Sequence, residues 1–341
     1  MCSKRVIVFD QQKMKKKSNK RKQAARASQN PCKQTTRNMR MWMPLAVVAL
    51  VVVLAYGFGR GEAGGSAPAV ESAFDGARAF RDLETVVGFG PRPAGSETIG
   101  RTRDYIVSEL RKVGFEPELD EFVATTPTGP IDMVNIRAVK AGQKPEIIAV
   151  TGHYDTKRFD FPFVGANDGG SSTAILLEMA RVADSVELEH TLEFIFFDGE
   201  EAVRDWTATD SVYGSRYDIA RRFDNGTLRE LRALVLVDMV GDTDLRVLKE
   251  TASTDWLKTI IWEVAQSQGY GRYFGAEQIA IEDDHVPYLN AGIPAVDLID
   301  FDYPYWHTAA DTLDKTSAES LKVIGDVVLG SLPGIDDYLN Q

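Results

Sequence analysis

The chain has 341 residues, 44% of them apolar and 26% charged, enough for one large α/β domain or two of average size. These figures exclude a small disulfide-stapled module, wholesale disorder and a many-span membrane protein. The formal charge of −11 is unevenly spread: residues 1–40 carry thirteen Lys and Arg against Asp10 alone, a tail of +12 on a body of −23, and so acidic a body argues against a nucleic-acid partner.

In chain order, the basic tail of residues 1–40 comes first and reads as cytoplasmic. Residues 41–58, MWMPLAVVALVVVLAYGF, are an uncharged apolar run of 18. That suits a short transmembrane signal anchor, with the basic flank inside and the body outside the cytoplasm, in a periplasm or a secretory lumen. A cleaved signal peptide cut near Ala67 or Ala69, and a start at Met39 or Met41, stay open as alternatives. Residues 59–69, GRGEAGGSAPA, read as a flexible linker, and residues 70–341 as one domain.

Within that domain, apolar spacing predicts helices over 70–87 and 97–113, the second stopped by Gly114. Short β-rich runs follow at 119–125, 133–139 and 147–152. A helix over 171–184, a strand over 191–197, a helix over 212–222 and a strand over 231–240 come next. The chain closes with a helix over 254–268, a strand over 294–299 and a helix over 316–339. The alternation predicts an α/β fold, a single domain whose mostly parallel or mixed central sheet is covered by helices on both faces.

Cys2 and Cys32 both lie in the tail, so the body has no thiolate nucleophile, no disulfide and no cysteine-based zinc site. Any metal must be held by His and carboxylates. In sheets of this kind ligands bind beyond the carboxyl ends of strands, and four strands here end in polar residues. After IIAVT come Gly152, His153, Tyr154 and Asp155; after LEFIFF, Asp198, Gly199, Glu200 and Glu201; after ALVLV, Asp238; after PAVDLI, a segment ending in Trp306 and His307. Asp168 lies in GANDGG, before a helix. Singly, each carboxylate is more often a cap or turn residue, and His190 is set aside on that ground. Jointly they suit zinc or a similar divalent ion, because the adjacent Glu200 and Glu201 need a cation or a proton between them in a dry site.

GHYDTK (152–157), VGANDGG (164–170), FFDGEEA (196–202) and WHTAADT (306–312) resemble the signatures of the zinc-dependent exopeptidases that include the co-catalytic aminopeptidases. Trp206, DSVYGSR (210–216), IEDDHVPYLNAGIP (281–294) and TPTG with the following MVNI (126–136) resemble one branch, the animal-type glutaminyl-peptide cyclotransferases. The resemblance runs over about residues 90–339. It implies an acyltransferase that converts the N-terminal Gln of peptides or proteins to pyroglutamate with release of ammonia. By the same resemblance zinc is bound by Asp168, Glu201 and His307, Glu200 is the proton shuttle, and Asp238 and Asp283 form a hydrogen-bonded network around it. Trp206 and Trp306 wall the substrate pocket. Two departures stand out: Gly152 and Thr173 occupy the places of the branch's cysteine pair, and Asp297 replaces a histidine near the substrate amide.

Cyclisation needs the α-amine to attack its own γ-amide carbon, with the amide oxygen polarised, a carboxylate moving a proton to the leaving nitrogen, and a pocket folding the side chain back. One zinc is expected. The alternative is an aminopeptidase with two co-catalytic zincs, the second held by His153 and Asp238 with Asp168. A non-catalytic binding domain with a structural metal fits less well, since such a site needs neither an extra glutamate nor an open position.

Overall fold

Asp75, Ser96 and Ser317 lie in extended backbone, and each accepts an amide N–H from the residue three further on. A helix starts after each, because these side chains satisfy N–H groups that the first turn leaves orphaned. These are α1 (Gly76–Gly88), α2 (Glu97–Lys112) and α7 (Ala318–Leu339), within a computed structural model that describes residues 73–341. The tail, the anchor expected at 41–58 and the linker lie outside the described residues. Among the described residues no helix is long and apolar enough to cross a membrane.

The strands are β1 (Glu118–Thr126), β2 (Gly129–Lys140), β3 (Lys144–His153), β4 (His190–Phe197), β5 (Leu231–Asp238) and β8 (Ala295–Ile299), in the order β1-β2-β4-β3-β5-β8. β1 with β2 and β2 with β4 are antiparallel, whereas β4, β3, β5 and β8 run parallel. The sheet is therefore mixed, and its parallel strands bring their carboxyl ends to one edge. Between them run α3 (Ser172–Arg181), α4 (Tyr213–Asn225), α5 (Asp255–Ser267) and α6 (His285–Ala291). A separate parallel pair, β6 (Val247–Glu250) and β7 (Phe274–Ile279), was not predicted, nor was α6.

Every residue of β4 is buried. Phe194 and Phe196 join the main core, built with residues of α1, α2, α3, α5 and α7, while Glu193 points the other way and pairs with Arg222 of α4. That alternation is what a strand covered on both faces requires. The covering helices leave the edge formed by the strand ends as the place where polar side chains can gather.

Candidate metal and acid–base centre

His153 ends β3 and Asp238 ends β5, and their side chains meet: His153 Nε2 lies 3.0 Å from Asp238 Oδ1 and 3.3 Å from Asp168 Oδ1. On the other side, His307 Nε2 lies 3.4 Å from Asp168 Oδ2 and 3.1 Å from Glu201 Oε1. Asp168 is thus shared by two triads, His153–Asp168–Asp238 and Asp168–Glu201–His307, each with ligand atoms within 4.8 Å of one another.

Local backbone explains why Asp168 can serve both. It sits in an irregular turn, Ala166–Ser171, followed by Gly169 at φ 78°, where a Cβ would lie 2.5 Å from the Asp155 carbonyl oxygen. Only glycine tolerates that conformation and that approach. The fully buried Arg92 ties this segment down, its guanidinium donating to the carbonyls of Tyr154, Val164 and Gly165. Asp311 accepts the N–H groups of Asn167 and Asp168 at 2.8 and 3.2 Å and the hydroxyl of Tyr303 at 2.7 Å. Met239 and His307, beside and within the centre, adopt left-handed backbone at φ 49° and 54°. Side-chain residues pay for such φ values and keep them where surrounding contacts demand it.

The two adjacent glutamates face different neighbours. Glu201 joins the triad with His307, whereas Glu200 Oε2 lies 3.8 Å from His153 Nδ1. Asp155 holds both in place, its two oxygens accepting the amide N–H groups of Glu200 and Glu201 at 3.1 and 3.3 Å. Burial, helped by the charges of Glu201, Asp283 and Asp284, pushes the Glu200 carboxyl well above its usual range against the pull of His153. Burial and the charge of Asp168 push Glu201 up to about 7.

These donors fit a divalent cation. Asp168 Oδ2 and Glu201 Oε2 are buried with no hydrogen-bond partner, a cost that an ion between them removes. A set of His nitrogen and carboxylate oxygen without sulfur matches the coordination chemistry of zinc.

The remaining expected residues sort as follows. Trp206 and Trp306 are 39% and 41% exposed, the second stacked on His307 at 4.2 Å between ring centres, so both remain open to a ligand. Phe159 and Phe163 meet the same imidazole edge-on. Asp283 is buried, but the expected hydrogen bond to Asp238 is not made: Asp238 Oδ1 pairs with His153, Asp283 Oδ1 accepts from the Asp284 amide, and Asp283 Oδ2 has no partner. Burial and then the charge of Asp238 drive the Asp283 carboxyl far upward. Asp297 is fully buried on β8, facing His285. His190, set aside from the start, pairs with Asp336 away from the centre.

The place of the absent cysteine pair is closed by packing. A Cβ on Gly152 would lie 2.6 Å from Ser172 Cβ, so β3 and the start of α3 touch too closely for a side chain there. Thr173 Oγ1 lies 2.8 Å from the Gly169 carbonyl oxygen and 3.3 Å from that of His153, linking turn and strand end. Sequence reasoning missed Arg92, Asp284 and Asp311 as parts of the centre and gave Asp155, though named at the end of a strand run, no role there. Asp155 and Asp311 were within reach, standing two and four residues after a proposed ligand; Arg92 in GPRPAG carries no signal.

Residues 135–332 match Peptidase family M28. The glutaminyl-peptide cyclotransferase-like protein of Mus musculus is 31% identical over 252 residues, covering 65% of this chain and 66% of the mouse protein. The glutaminyl-peptide cyclotransferase of Dictyostelium discoideum is 27% identical, over 70% of this chain and 81% of its own length. Among solved structures, the glutaminyl cyclase of an Acidobacteriales bacterium superposes with a TM-score of 0.75 at 35% identity, covering 82% of this chain and all of that one.

Proposed function

The chain belongs to Peptidase family M28, and within it we propose that the protein is a zinc-dependent glutaminyl-peptide cyclotransferase acting on peptides or proteins that begin with Gln. The observation that carries this reading is the division of labour between Glu201, in a triad with Asp168 and His307, and Glu200, turned away from it with its proton affinity raised. Asp168, Glu201 and His307 would hold one zinc ion, which supplies a Lewis acid for the γ-amide oxygen when bound.

Glu200 takes a proton from the attacking α-amine and returns it to the departing amide nitrogen. The new C–N bond closes the lactam ring, the old C–NH₂ bond breaks, and ammonia leaves with no water consumed. A carboxyl whose affinity for protons is raised suits both halves of that transfer. Burial, with the neighbouring carboxyls of Glu201, Asp283 and Asp284, opposes ionisation of Glu200 and raises its readiness to hold the proton between the two steps. Trp206 and Trp306 provide exposed aromatic faces against which a short flexible side chain can be held folded.

The test is to give the purified protein a Gln-initiated and a Leu-initiated peptide and follow mass. Loss of one ammonia from the first alone supports cyclisation. Cleavage of a peptide bond supports an aminopeptidase, which the second triad, His153–Asp168–Asp238, favours. Zinc counted per chain after dialysis separates them further, one ion being expected for the cyclase and two for the peptidase. From the sequence we also propose that residues 41–58 tether the domain outside the cytoplasm.

A further inference from the structure

Glu250, at the end of β6, is buried and surrounded by donors. Its Oε1 accepts the Ala252 amide at 2.8 Å and the Thr251 hydroxyl at 3.2 Å; its Oε2 accepts the Ser253 amide and hydroxyl at 2.6 and 2.9 Å and meets His285 Nε2 at 3.2 Å. Two backbone amides, which can only donate, occupy its two oxygens together with two hydroxyls, so Glu250 is held as the carboxylate and His285 Nε2 carries the hydrogen. Lys258 adds to this by donating to the Glu250 carbonyl at 3.0 Å. The other imidazole nitrogen, Nδ1, faces Asp297 Oδ2 at 3.7 Å, and neither atom has a hydrogen-bond partner elsewhere. Asp297 Oδ1 is also buried without a partner.

With Nε2–H directed at Glu250, a neutral imidazole presents a lone pair at Nδ1. A carboxylate opposite that lone pair would be repelled, while a carboxylic acid could donate to it. The charged groups acting on Asp297 from neighbouring elements are Asp283 and Asp284 beside α6, Asp238 of β5 and Glu250 of β6, all acidic. We propose that Asp297 is held as the neutral acid, its proton directed at His285 Nδ1, and that Glu250 fixes the imidazole in the tautomer able to receive it. Burial together with those four charges favours the same state.

The consequence for chemistry rests on the cyclase reading. Position 297 then brings no further negative charge to the carboxyl cluster behind Glu200, and Asp297 is a positioning residue that acts through His285.

The chain has four histidines, so their ring nitrogens can be resolved by ¹⁵N NMR of histidine-labelled protein and assigned with single His→Gln variants. His285 is expected in the Nε2–H form at neutral pH, with or without zinc, and in Asp297→Asn as well, since the amide NH₂ also donates to Nδ1. Zinc-loaded Asp297→Asn is expected to keep kcat within about threefold of the parent, while Asp297→Ala loses about tenfold or more. An Nδ1–H or doubly protonated His285 overturns the proposal. So does an Asp297→Asn protein that folds and binds zinc normally yet loses as much activity as Asp297→Ala. Absence of cyclisation by the parent would instead overturn the functional reading and leave the NMR result standing.

Discussion

Glu200 and Glu201 are neighbours in sequence with separate work, and substitution separates them. Glu201→Gln removes a ligand from the triad with His307 and should release zinc. Glu200→Gln should keep zinc and lose roughly 10² to 10⁴ in turnover, the usual worth of a general acid–base group. Metal content measured beside kcat in both variants decides it, and zinc loss from Glu200→Gln would reverse the assignment. At this scale the residues that gather at the centre were legible because they stand at the end of an apolar run, in the segment after one, or in a glycine-rich turn. Residues that only hold the ligands were less so. Asp155 acts by accepting two backbone amides, and an acceptor for amides has no required neighbour in sequence. Asp297 could be located but not interpreted, since its partner His285 is defined only by the fold.

The turn Ala166–Ser171 shows how one element sets the centre. Gly169→Ala must place a Cβ 2.5 Å from the Asp155 carbonyl oxygen and 2.9 Å from His153 Cε1 at φ 78°. We expect a loss of about 1–3 kcal/mol in denaturant unfolding together with weaker zinc retention. Unchanged stability would mean that the turn relaxes without cost. The same element scale explains what sequence patterning could see. The central strands β3, β4 and β5 are eight to ten residues long and largely apolar, and the helices that cover them have a clear period. β6 and β7 are four and six residues long, and α6 is seven residues with Pro287 inside its first turn, too short for any period to register. Those missed elements carry Glu250 and His285, so the hidden part of the fold and the hidden part of the site coincide.

For the molecule as a whole, buried acids set the pH response of the metal-free protein. Burial is the leading cause that raises Glu201, Asp284 and Asp300 to about 7 and Asp198 to about 8. Unfolded carboxyls titrate near 4, so between about pH 4 and 8 the folded state holds protons that the unfolded chain has released, and stability falls as pH rises. His153 acts in the same direction: burial opposes its charge, but Asp238, Asp155 and Asp168 outweigh it and raise it well above the ordinary value, so its contribution is complete below about pH 6.5 and is lost above. Glu250, held at about 2 despite burial by His285 and its amide donors, contributes fully above about pH 4.3 and does not alter the slope. Melting of zinc-free protein should therefore drop by several degrees, roughly, from pH 5 to 8. Zinc should flatten the drop by replacing the proton on Glu201; a rising or level curve without metal would contradict the assigned states.

The proposed zinc ligands come from the turn before α3, the loop after β4 and the segment after β8, and Glu201 and His307 stand 106 residues apart in sequence. An ion there is also a cross-link closing two long loops, the part a cystine plays in other small folds. Its formation depends on metal activity and not on redox potential. A thiol reductant should leave melting of residues 70–341 unchanged, whereas a strong zinc chelator should lower it, so this cysteine-free body can be stapled as readily in a reducing compartment as in an oxidising one.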